Sequence, residues 1–101
     1  MIIITGHIQL QPDRREAAIT LGCEHSARSR AEAGCLSHNC YLDAEDENRL
    51  HFFEQWRDMA AVRKHFAVPE SGAFVQQIAA LASVPPEIAI YSAEEIEGAP
   101  F

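Results

Sequence analysis

The sequence is poor in positive charge. Its 101 residues carry 8 Lys and Arg against 15 Asp and Glu, a formal net charge of −7. Only Arg14-Arg15 and Arg63-Lys64 place basic residues side by side. A polyanion would be repelled over most of such a surface, so neither nucleic acid nor an anionic membrane is an expected partner. Cysteine is scarce and odd in number, at three. That count argues against a disulfide framework, and Cys23, Cys35 and Cys40 read as reduced thiols of a cytoplasmic protein. No apolar run approaches membrane-spanning length. Met1–His7 lacks the basic region and the apolar length of a signal peptide. Gly-rich phosphate loops, nucleophile elbows and dinucleotide fingerprints are all missing.

The composition that remains is globular, with 48% of residues apolar. One domain over residues 1–101 is expected. A chain of this size buries roughly two-thirds of its unfolded surface, enough for one core but not for a large enclosed active site.

Residues 2–10 alternate as a first strand, with Ile3, Thr5, His7 and Gln9 on one face and Ile2, Ile4, Gly6, Ile8 and Leu10 on the other. Gly6 suggests a close backbone approach or a bulge. Pro12 and Asp13 open a helical run to about Ala33. Its apolar stripe is thin: Ala18 and Leu21, then His25 and Ser29 at helical spacing. Such a stripe suits a helix lining a partly wet cavity, and equally an ordinary surface helix. Gly34 supplies the left-handed residue that commonly ends a helix, so Glu32-Ala33-Gly34-Cys35 reads as a structural junction.

Residues 35–43 form a second strand, with Cys35, Ser37, Asn39 and Tyr41 facing one way and Leu36, His38, Cys40 and Leu42 the other. Residues 43–48 are an acidic turn without the spacing or the glycine of a calcium loop. The third strand, 49–57, places Glu54 between Phe52 and Trp56 on one face. Asp58 caps a short helix over about 59–66. Pro69 opens another, with Phe74, Ile78 and Leu81 in its stripe, and Pro85-Pro86 stops it. Residues 87–94 are the last strand.

The order β-α-β-β-α(α)-β predicts an α+β fold, a ferredoxin-like antiparallel sheet with helices on one face. Strands one and three carry apolar residues on both sides. The cheapest cover for the second face is another copy of the chain, so a homodimer is expected.

Three segments carry a family resemblance: Ser29-Arg30-Ala31-Glu32-Ala33-Gly34-Cys35, then Phe53-Glu54-Gln55-Trp56-Arg57-Asp58, then His65. Through them the chain resembles the antibiotic biosynthesis monooxygenase family, its small quinol-monooxygenase-like members above all. The resemblance implies a dimeric α+β barrel. It also implies oxygenation of a small quinol or phenolic substrate by O2 with no cofactor, be it metal, flavin or haem. The family's haem-degrading branch needs an Asn, a Trp and a His where this chain aligns His7, His65 and Gln77, so haem cleavage is not expected. The polyketide-oxidising branch relies on a Trp at the end of the third strand, which Trp56 matches.

Cofactor-free oxygenation demands that the substrate donate an electron to triplet oxygen, which an anion does far better than a neutral phenol. The protein must remove a proton, exclude water and stabilise the anion. His65 is the expected base, with Glu54 as the carboxylate beside it. The plain alternative is a salt-bridged strand Glu and a helix-end His favoured by the dipole. Trp56, Phe52, Phe66 and Phe74 are candidates for an apolar wall, with core packing as the rival account, favoured for Phe74. His7 is the best of the other histidines, ahead of His25 and His38, although a lone strand His is more often structural. Asn39 is placed with the substrate-binding candidates, although a hydrogen bond within the sheet is favoured for it. No metal site is expected: alternation separates Cys35 from His38 and Cys40, and no fourth ligand is near in sequence. Two rival functions stay open, an enzyme of this fold that uses no oxygen and a non-catalytic ligand-binding dimer.

Overall fold

Apolar alternation fixes the sheet. The computed structural model describes residues Met1–Phe101 and contains four strands and three helices. The strands are β1 (Ile2–Gln9), β2 (Cys35–Leu42), β3 (Arg49–Trp56) and β4 (Glu87–Ser92), and the helices are α1 (Arg15–Arg30), α2 (Met59–Ala67) and α3 (Pro69–Leu81). The sheet is antiparallel in the order β2-β3-β1-β4. This is the ferredoxin-like α+β arrangement expected from the order of elements. No helix is long and apolar enough to cross a membrane.

The inner face of β3 is Leu50, Phe52, Glu54 and Trp56, all buried, with Phe53 exposed between them. Opposite them β1 contributes Ile2, Ile4 and Ile8. Two apolar clusters result. Ile8, Leu10, Leu50, Phe52, Phe74 and Ile78 gather under α1 and α3 with Ala18. Ile2, Ile4 and Trp56 gather under α2 with Ala61 and Val62. The polar site lies between these clusters.

Local corrections follow from turn chemistry. Pro12 and Asp13 lie outside α1, which starts at Arg15; Asp13 takes a left-handed φ of 67° in the turn before it. The helix ends at Arg30, short of Ala33, and β4 ends at Ser92, short of residue 94. The ladder runs through Gly6 without a bulge. The bulge falls in β2 between Cys35 and Ser37. The extra residue reverses the alternation there. Leu36 is thrown outward, 59% exposed, and Cys35 joins the inner face against the Trp56 cluster.

The junction into β2 turns on Gly34. Its φ is +84°, and a Cβ there would sit 2.5 Å from the Ala61 Cβ, so the site needs glycine for both conformation and space. This turn fixes α2 against the start of β2. At the same end of β3, Asp58 caps α2 by accepting from the Ala61 N–H at 2.9 Å, as the sequence predicts.

Candidate functional site

Three histidines from three elements meet under the sheet. His25 comes from α1, His38 from β2 and His65 from α2, and they are 4%, 0% and 2% exposed. The thin polar stripe of α1 explains His25: Ala18, Gly22, His25, Ser26 and Ser29 are its inward residues. His38 is paired across the ladder with Glu54, so both point inward. Ring centroids lie 5.0 Å apart for His25–His38, 5.4 Å for His25–His65 and 5.6 Å for His38–His65. Trp56 packs behind His65 at 4.6 Å, and Phe74 stacks flat on His25 at 3.9 Å.

Each histidine is held by a different polar group. The Glu32 carboxylate lies 3.0 Å and 3.2 Å from His65 Nδ1 through its two oxygens. A carboxylate there accepts only from Nδ1–H, so in the neutral ring Nε2 keeps its lone pair. His38 Nδ1 pairs with Ser26 Oγ at 2.8 Å. Glu54 Oε1 accepts from the Trp56 indole at 2.9 Å and lies 3.3 Å from His38 Nε2. That last approach has the reach of an ion pair but not the geometry of a hydrogen bond, so His38 Nε2 is a buried nitrogen without a hydrogen-bond partner. Burial alone would push the Glu54 carboxyl up; His38, the Trp56 N–H and His65 more than offset it, and the group is held below the usual carboxylate value.

The arrangement opens into a cavity of about 250 Å³ between the sheet and α3. This is slightly below the usual volume of a drug-sized site, about 300 Å³ and upward, so it suits a small ligand. Its wall is apolar at Phe52, Phe66, Phe74 and Ile78, with His25, Glu54 and His65 as the polar end. Gly6 forms part of the floor, where a Cβ would make only ordinary contacts with Phe52 and Glu87. The missing side chain there leaves room rather than permitting a bulge.

The structure brings His65, Glu54, Phe52, Phe66 and Phe74 to one cavity. Trp56 stands behind that wall, fully buried, and acts on it through Glu54 and His65. His65 and Glu54 share the cavity but are not bonded to each other: Glu32, read from sequence as a junction residue, holds His65 instead. Two candidates lie elsewhere, because strand alternation turns them to the other face of the sheet. His7 Nδ1 pairs with His51 Nδ1 at 2.7 Å, and His51 Nε2 with Asp43 at 3.0 Å. Asn39 Oδ1 accepts from Arg30 at 3.0 Å. His25 and His38, ranked behind His7 from sequence, belong to the cluster. The polar members of the α1 stripe were the signal for His25. For Glu32 no local signal exists, since its partner lies 33 residues on.

Burial, then the neighbouring His38 and His65, hold the His25 pKa down to about 3 from 6.5. Between those values the unfolded chain binds a proton that the native ring refuses, so this contribution is complete above the unfolded value and is lost as pH falls toward 3. Acidification from pH 7 to pH 4 is expected to cost on the order of a few kcal/mol at this residue. Urea midpoints across that range measure it, and His25→Phe is expected to show a shallower decline.

Comparison with known proteins places the fold and motifs. Residues 1–77 match the family described as antibiotic biosynthesis monooxygenase. An uncharacterized protein of Synechocystis sp. is 38% identical over 96 residues, covering 95% of this chain; the chain spans 65% of that protein's length. YcnE of Bacillus subtilis, provisionally named a monooxygenase, is 27% identical over 87% of this chain and 93% of its own. A solved structure from Deinococcus radiodurans, described as a candidate antibiotic biosynthesis monooxygenase, superposes with a TM-score of 0.91 over 98% of both chains at 21% identity, and so shows the shared fold. The match over three-quarters of the sequence leads to one assignment: the chain belongs to the antibiotic biosynthesis monooxygenase family.

Proposed function

We propose that the protein is a cofactor-independent monooxygenase that oxidises a small quinol or phenol with O2, with His65 as the base. The observation that carries this reading is the Glu32–His65 pair at the polar end of an apolar cavity. The carboxylate fixes the ring so that Nε2 is the proton acceptor. His65 Nε2 takes a hydroxyl proton from the bound quinol, and the ring disperses the resulting anion's electrons toward O2. Phe52, Phe66 and Phe74 exclude water around the flat ring. For a hydroquinone the balance is substrate plus O2 giving a hydroxyquinone plus water. The substrate supplies all four electrons; one oxygen atom stays on the ring and the other leaves as water.

An oxygen electrode tests the proposal on flavin-free, chelator-treated protein given a substituted hydroquinone. One O2 consumed per quinol, with no oxygen returned on adding catalase, is expected. Oxygen returned by catalase would mean peroxide, and hence simple oxidation in place of oxygenation. Turnover that continues without oxygen would favour the oxygen-independent enzyme.

The same reading includes a cytoplasmic homodimer. Tyr41, Phe53 and Tyr91 are 53%, 38% and 53% exposed on the sheet face away from the helices. A second copy would cover them. Sedimentation equilibrium is expected to give twice the chain mass of 11.2 kDa, and Phe53→Arg is expected to shift the protein to monomer.

A further inference from the structure

We propose that His25, His38 and His65 form a binding site for a borderline transition-metal ion such as Zn²⁺ or Co²⁺. One nitrogen from each ring lies within 4.8 Å of the others, and all three residues are buried. On a tetrahedral ion with metal–nitrogen bonds of about 2.0–2.1 Å, ligating nitrogens sit about 3.4 Å apart and their ring centroids about 5 Å apart. The observed centroid separations of 5.0, 5.4 and 5.6 Å are already close to that. Ligation requires the three nitrogens to close from within 4.8 Å to that spacing.

The outer nitrogens support the same assignment. Metal-bound histidines ordinarily use one nitrogen for the ion and give the other to a carboxylate or another oxygen. Glu32 occupies His65 Nδ1 and Ser26 occupies His38 Nδ1, which leaves both Nε2 atoms for an ion. His25 differs, since its Nδ1 faces the Arg28 guanidinium at 3.4 Å. That long contact opens when the ring ligates. Packing alone accounts for the stacked His25 and Phe74, but not for His38 Nε2, which is buried without a hydrogen-bond partner. Glu54 Oε1, 3.3 Å from that nitrogen, is a fourth donor at ligand spacing.

The donor set decides the class of ion. Three imidazoles suit zinc, cobalt, nickel or copper rather than magnesium or calcium. Glu54 and Glu32 supply two negative charges against a dication. The cavity, lined by His25, Glu54 and His65, is the route of entry. None of this depends on the oxygenase reading, although the two meet at His65: its Nε2 cannot hold an ion and take a substrate proton at once. Metal loading therefore competes with turnover.

The test is titration of tag-free, chelator-stripped protein with Co²⁺ under argon, followed by Zn²⁺ displacement. Visible absorption of tetrahedral cobalt is expected to saturate at one ion per chain and to bleach with Zn²⁺. Both His38→Gln and His25→Gln are expected to abolish it. Should either variant fail to fold by circular dichroism, Glu32→Gln decides, with affinity expected to fall about 10–100-fold. Absence of stoichiometric binding by the wild type overturns the proposal, and so does binding that survives in a folded His38→Gln or is unchanged in Glu32→Gln. Metal binding is read without any quinol, so its failure leaves the oxygenase reading where the oxygen electrode puts it.

Discussion

Replacing His65 with Ala is expected to lower kcat for quinol oxygenation by about 100-fold or more, the usual worth of a positioned general base. KM is expected to change little, because the apolar wall of Phe52, Phe66 and Phe74 remains. The reason is geometric. His65 is 2% exposed, is held through Nδ1 by Glu32 and faces the cavity. Loss of the ring removes the proton acceptor and leaves Glu32 without its partner. Glu32→Gln is expected to give a smaller loss in the same parameter, since an amide can orient the ring either way and does not fix the tautomer. His65→Gln keeps a polar group and most of the volume, so it separates loss of the base from loss of packing. Steady-state oxygen uptake in the three variants measures this, with circular dichroism to confirm folding. Activity unchanged in His65→Ala would remove the residue from the mechanism.

Trp56→Ala carries the largest expected effect on stability. Trp56 is fully buried, packs with Ile2, Ile4, Ala61 and Val62, and abuts His65. Large-to-small changes at such a site cost about 3–5 kcal/mol. In a domain of this length that lowers Tm by on the order of 20 °C. A second loss is specific to this position. The indole N–H donates to Glu54 Oε1 at 2.9 Å, so its removal strips a donor from a buried carboxylate. Trp56→Phe helps to separate the two terms, since it removes the N–H while keeping much of the packing. Differential scanning calorimetry is expected to rank the proteins wild type, Trp56→Phe, Trp56→Ala in falling order.

The fold was legible because its signals are local. Alternation in β1 and β3, the Asp58 cap, Pro69 at the start of α3 and the stops at Gly34 and Pro85-Pro86 each act within a few residues. Those signals bound the elements to within a turn and give their order, and that order gives the sheet. The β2 bulge is the exception: nothing in Cys35-Leu36-Ser37 announces an extra residue, and the bulge falls next to the point where Cys35 pairs with Trp56 and the Arg57 N–H donates to the Gly34 carbonyl.

The site was legible only in part. Face assignment along β3 puts Phe52, Glu54 and Trp56 together, since strand periodicity is short-range. Pairing is another matter. The sequence places Glu54 and His65 together on the helix side of the sheet, and both are there. Yet Glu32 reaches His65 first, from the turn after α1, while Glu54 faces His38 across the β2–β3 ladder. Its place on a central strand puts His7 ahead of His25 and His38 in the sequence. Alternation sends it to the other face, where it pairs with His51, which Asp43 holds in turn. The Glu32–His65 and His7–His51 pairs join residues 33 and 44 positions apart, and no local pattern encodes those.

The proposed catalysis depends most on Glu32 fixing which nitrogen of His65 is free. Long-range 15N–1H correlation spectra of the histidine side chains read that directly in metal-free protein. For the neutral ring the expected result is a proton on Nδ1 and a bare Nε2, and loss of that single tautomer in Glu32→Gln. A neutral His65 protonated at Nε2 and bare at Nδ1 would contradict it.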